Sequence, residues 1–236
     1  MSDMDNLQKI RRLYNLPDAE NFGFSETEIS ALEDRLNVQL PRELKSYYLT
    51  LGKNEKVNYS HNRLLKPEKE IGFSKDRYLM IFEENQAVVS WGIKEEDLIL
   101  DNPPVWGNSG TEDAPDWYLE TDNLADFFLL MAVYNGTFGG LRYNANYFGE
   151  VAPKTIQSIE DNMTLVSAIS YDRQKVYTHD YDDIVSLSFD DEGAGSAIFI
   201  GTSDQNRFDK ILDRVKVDWS YTSYEDEDNA EERRGV

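Results

Sequence analysis

Cysteine is absent from this 236-residue chain, so no disulfide frame, thiolate metal site or cysteine nucleophile is available to it. Histidine is nearly absent too. With only His61 and His179, few side chains change charge near neutral pH. No apolar run approaches the roughly 20 residues that a membrane-crossing helix needs, and the longest, Asp126–Tyr134, falls well short. The opening MSDMDNLQKIRR has no apolar segment of the secretory kind, which leads us to expect a cytoplasmic protein with no membrane association. Cations are scarce as well. Lys plus Arg number 24 against 45 Asp plus Glu, a formal net charge of −21.

The distribution of that charge is more informative than its total. Between Lys94 and Arg142, and again between Lys175 and Arg207, the chain contains no lysine or arginine. Glu112, Asp113 and Asp116 fall in the first window; Asp180, Asp182, Asp183, Asp190 and Asp191 fall in the second. Coherent negative potential of this kind repels nucleic acid and anionic lipid, and it attracts basic proteins. Such potential raises association rates by roughly 10–10³ at low salt. Solubility alone is the plainer explanation of any single cluster. Tyr143 and Tyr147, with Phe148, lie in an otherwise polar stretch and read as interface anchors on a loop. These acids and tyrosines are the candidate partner-binding residues.

Local patterning supports a packed core. Ser25 and Glu28 form a capping-box pair, and Ile29, Leu32 and Leu36 recur at helical spacing behind it. Pro41 stands where a second helix begins; Leu44, Tyr47, Tyr48 and Leu51 follow, with Gly52 placed to close it in the left-handed conformation. The period then changes. Tyr78–Phe82 and Ala87–Trp91 read as strands around a polar turn; Val105-Trp106 and Asp116–Glu120 follow as further strands. Leu124–Asn135 is apolar nearly all round and predicts a buried helix capped by Asp122. Met4–Tyr14 and Asn206–Val215 predict amphipathic helices, and Lys154–Asn162 a short one. Thr164–Ile169, Lys175–Thr178, Ile184–Phe189, Ala197–Gly201 and Val217–Tyr221 predict strands, and 54–74 an irregular connection.

Catalytic constellations are poorly supported. The glycines of Asn135–Gly140 follow a helix, whereas a phosphate loop must precede one, so Gly136 reads as a helix cap. His179–Asp183 offers oxygen and imidazole ligands but lacks the Gly and distal Glu of a calcium loop, and it reads as an acidic turn. Asp190–Gly195 reads as a hairpin turn. Adjacent carboxylates such as Glu83-Glu84 point to opposite faces of a strand. No nucleophile elbow accompanies His61. The expectation is a non-enzyme with no cofactor and no bound metal; a metal-dependent hydrolase built on 179–183 is the remote rival.

Taken in order, Ile29, Glu33, Leu36, Leu40-Pro41, Leu44 and Tyr48, then Phe82, Glu84-Asn85-Gln86, Trp91-Gly92-Ile93, Asp97, Asn102-Pro103-Pro104-Val105 and Asp126-Phe127, resemble the SUKH immunity superfamily. These are bacterial relatives of the yeast Smi/Knr cell-wall regulators. The likeness covers about residues 24–135, and it departs from the family pattern at Gly52-Lys53-Asn54. The resemblance implies an immunity protein of a polymorphic toxin system, binding a cognate toxin domain, a basic nuclease, without chemistry. It leaves room for a scaffold or regulator of the Smi/Knr kind. The expected fold is α+β: a mainly antiparallel sheet flanked by helices, with an N-terminal helical hairpin and a strand-rich C-terminal extension. Residues 1–150 would form the family domain, 151–222 an extension on the same sheet, and 223–236 a disordered acidic tail. The molecule would be a monomer or weak oligomer that makes no direct contact with nucleic acid.

Overall fold

The computed structural model describes residues 4–224. Over that span the chain is α+β, with two antiparallel six-stranded sheets. Its contacts fall into two units. One holds the chain up to Leu7 together with Pro17–Asn135; the other holds Gln8–Leu16 and everything from Gly136.

In the first unit, α2 (Glu26–Leu36) begins at the capping box. Glu28 N donates to Ser25 Oγ (3.2 Å) and Ser25 N donates to the Glu28 carboxylate (2.6 Å). Asn37 ends it in the left-handed region at φ 53, a conformation asparagine tolerates. Helix α3 (Arg42–Leu51) starts after Pro41 and buries Leu44, Tyr47, Tyr48 and Leu51. Gly52 is not left-handed; its φ is −55. Glycine is required there for space, because a Cβ would lie 2.7 Å from the Tyr48 carbonyl oxygen and from the Phe24 ring.

The connection expected to be irregular contains a short helix, α4 (Glu55–Asn58), and the strands β1 (Arg63–Leu64) and β2 (Gly72–Phe73). Strands β3 (Tyr78–Glu83), β4 (Ser90–Lys94), β5 (Val105–Asn108) and β6 (Trp117–Thr121) follow in order, with β1 and β2 sharing the free edge of β3. Strand β4 starts three residues later than expected because Ala87 turns left-handed, at φ 59, and extends the turn. Helix α5 (Leu124–Asn135) is buried along most of its length, as its composition demands. Its first turn is capped by Asn123, whose Oδ1 accepts from Asp126 N (2.9 Å), and not by Asp122. Tyr47 stacks on Phe128 at 3.6 Å; Phe82 meets Trp91 and Phe127 edge to face, and Trp91 lies tilted against Phe127.

The capping box carries a pH signature. Bonds from Ser25 N–H, Lys53 and the Ser25 hydroxyl hold the Glu28 carboxyl at about 2, below its ordinary 4.5. The folded pKa is the lower one, so this stabilisation is complete above about 4.5 and drains away as pH falls toward 2. An NMR titration should place the Glu28 midpoint near 2, and the stability gap between the parent and Glu28→Gln should close at that pH. A midpoint at the ordinary carboxylate value would refute the assignment.

The second unit begins with Gln8–Leu13 of helix α1 (Asn6–Leu13), where Ile10 and Leu13 are buried. Its sheet comprises β7 (Tyr143–Val151), β8 (Thr164–Leu165), β9 (Gln174–Thr178), β10 (Asp183–Phe189), β11 (Gly195–Thr202) and β12 (Tyr221–Thr222), in the order β12-β7-β11-β10-β9-β8. Helices α6 (Pro153–Glu160) and α7 (Gln205–Arg214) complete it. The C-terminal strands therefore build their own sheet and do not extend the first. Strand β7 pairs with β11 from Tyr143 to Val151, so the division falls at Asn135/Gly136 where a boundary near 150 was expected. Val166–Ile169 leaves the expected strand for a 3-10 turn over Ser167–Ile169. Only Tyr221–Thr222 of the last stretch pairs as a strand. Phe208, Ile211 and Val215 pack against Tyr143, Ala145, Ile198 and Ile200.

The expected disordered tail is corrected at its first two residues. Ser223 is buried, and the Tyr224 hydroxyl donates to Asp209 (2.6 Å). The rest of that tail lies outside the described residues.

Candidate functional site

Each candidate acid has a definite place, and most of them have partners. In the first unit, Glu112 and Asp113 occupy the β5–β6 loop and share Lys75 (3.3 and 2.9 Å). Asp116 accepts from the Ser109 hydroxyl (3.2 Å). A stretch free of cations in sequence is thus supplied with one from elsewhere in the unit.

The second unit takes its acids further into its structure. Asp182 accepts from Arg12 (2.8 and 3.0 Å) and from Arg207 (2.7 Å), and the Arg12 bonds lead in holding its carboxyl below the ordinary range. Asp183 is 2% exposed. It accepts from the His179 backbone N–H (2.9 Å), and its other oxygen lies 2.9 Å from His179 Nδ1. Asp183 is therefore a structural carboxylate and is unable to meet a partner, contrary to the sequence reading. Asp180 is exposed in the β9–β10 turn at φ 52. Asp190 ties its hairpin together, accepting from Glu192 N (3.0 Å) and Ala194 N (2.8 Å), while Asp191 pairs with Arg173.

The aromatic loop is likewise corrected. Residues 143–151 are a strand, Tyr143 lies in the core, and Tyr147 packs against that core with its hydroxyl donating to the Glu150 carbonyl (3.3 Å). Phe148 is the exposed member. Period-two spacing of Tyr143, Ala145 and Tyr147 was the signal for a strand, obscured by the asparagines between them.

The arrangement that does present acids to solvent was missing from the candidate residues. After β4 the chain forms a 3-10 helix, Glu95–Ile99, anchored by buried Leu98. With Leu98 turned inward, Ile99 is 90% exposed and Leu100 46%. Glu95 pairs with Arg77, and Asp101 with Arg42 (3.2 Å). Glu96 and Asp97 make no ion pair among the described residues. A concavity of about 380 Å³ adjoins this turn, lined on its far side by Val38, Leu40, Pro41 and Arg42. The signal for it was the apolar triplet Leu98–Leu100 directly behind three acids, on a turn too short to bury all three side chains.

Two chemical readings can be set against this geometry. Gly136–Gly140 forms a kinked turn leading into β7, with Phe138 and Gly139 outside helical geometry and Gly139, not Gly136, in the left-handed region at φ 103, and no helix begins there to present amides to a phosphate. Among the described residues, no group of three or more His, Asp or Glu side chains is placed to hold a metal ion.

Comparison with family models, with curated proteins and with solved structures gives no match. Within the described residues, no helix is long and apolar enough to cross a membrane.

Proposed function

We propose that the chain is a non-catalytic binding protein that captures a basic protein partner through the Glu95–Asp101 turn. Following its resemblance to the SUKH superfamily, it would act as an immunity protein, with a toxin domain of nuclease type as that partner. The observation carrying this reading is Ile99, which is almost wholly exposed beside Glu96 and Asp97, acids that make no ion pair among the described residues. An apolar centre within a charged rim is how protein interfaces concentrate their binding energy. The acids steer a basic partner into place, and the aliphatic side chains hold it once water is excluded.

Calorimetry with the toxin domain encoded beside this gene tests the idea. A complex should form at low salt and weaken as salt rises. Ile99→Asp should lower affinity by about tenfold or more, from loss of a buried aliphatic contact. Glu96→Lys with Asp97→Lys should mainly slow association, whereas Glu112→Lys with Asp113→Lys should change little. Ile99 is exposed, so its loss does not threaten the fold. Undiminished binding by Ile99→Asp would eliminate this face as the interface, and absence of any complex would eliminate the toxin.

A further inference from the structure

In the second unit, the β9–β10 turn and α7 border an open concavity of about 430 Å³ whose lining includes His179, Asp183, Asp204, Arg207, Lys210 and Arg214. We infer that this is a binding site for a small, multiply charged oxyanion, of the phosphate or polycarboxylate type.

Both carboxylates are committed: Asp204 Oδ1 caps α7 by accepting from Arg207 N (2.9 Å), and Asp183 is buried against His179. Arg207 is held by Asp182 (2.7 Å) and approaches Asp183 (3.6 Å). Lys210 and Arg214 are different. They are exposed, one helical turn apart on the same face of α7, and neither makes an ion pair among the described residues.

Like charges at this spacing destabilise a helix. In a chain of net charge −21 carboxylates are plentiful, yet among the described residues none forms an ion pair with Lys210 or Arg214. An anion seated between them removes the repulsion, and the arginine fork suits two oxygens of one group. His179 lines the same concavity, its Nδ1 facing Asp183. The volume suits a small ligand. A long polyanion such as nucleic acid would meet the field of the whole chain, which opposes it. This site is independent of the Glu95–Asp101 turn and of any toxin.

Calorimetry of the full chain with pyrophosphate, and separately with citrate, decides the matter. The expected result is saturable one-to-one binding at low salt by at least one of them, and the tighter ligand identifies the class. Lys210→Gln with Arg214→Gln should weaken that binding by about tenfold or more, as loss of charge-assisted bonds requires. His179→Gln should weaken it by less, and Lys56→Gln with Lys69→Gln should leave it unchanged. No saturable binding to either anion, or equal weakening by the Lys56 and Lys69 pair, overturns the proposal.

Discussion

Asn135→Ala is expected to cost the first unit roughly 3–5 kcal/mol, the summed effect of three buried polar groups left without partners. Asn135 ends α5 and is completely buried. Its amide nitrogen donates to the carbonyls of Val57 (2.7 Å) and Asn62 (3.0 Å), and its side-chain oxygen accepts from Asn62 N (2.7 Å). The side chain thus takes the place of secondary structure for a segment that has little of its own, pinning the end of α4 and the approach to β1. Asn135→Asp should fare no better, because a carboxylate has no N–H to give those two carbonyls. Urea unfolding followed by tryptophan fluorescence measures the loss. A cost below about 1 kcal/mol would mean that water replaces the amide without penalty.

In the second unit the largest effect should come from Phe208→Ala, at roughly 3–5 kcal/mol for a fully buried aromatic ring. Phe208 is 0% exposed and lies between Tyr143 (5.8 Å between centroids) and Tyr224 (5.3 Å, nearly perpendicular). With Ile211 and Val215 it forms the face by which α7 covers the sheet. Phe208→Leu retains most of the volume and should cost only about 1 kcal/mol. Hydrogen exchange offers a local readout: β7 and β11 amides should exchange faster in the alanine variant. Unchanged protection there would show that the cavity collapses harmlessly.

Much of this fold was legible because local signals were strong. The Ser25–Glu28 box, the all-apolar run from Leu124 and the 208–211–215 stripe each specify an element whatever surrounds it. Strand β7 was illegible for the opposite reason. Its pairing partners, Gly195–Thr202, lie far along the chain, and tyrosines between asparagines look the same in a strand as in a loop. The acidic residues illustrate a second limit. A stretch lacking lysine and arginine says nothing about cations arriving from elsewhere, and Lys75, Arg12 and Arg207 neutralise several of the acids picked from sequence. Asp183 went further and became part of the interior. Conversely, Ile99 matters because a short helix faces it outward, and only its neighbour Leu98 finds a place inside.

Helix α1 completes a unit whose remaining residues follow more than a hundred positions later. The Ser203 hydroxyl donates to the Leu13 carbonyl (2.9 Å) across 190 residues of sequence, and Arg12 reaches Asp182 within the same unit. A ribosome releases Gln8–Leu16 well before the rest of its unit, from Gly136 onward, whereas Pro17–Asn135 is contiguous and can settle as it emerges. Helix α1 therefore cannot complete its unit until the chain from Gly136 onward has emerged.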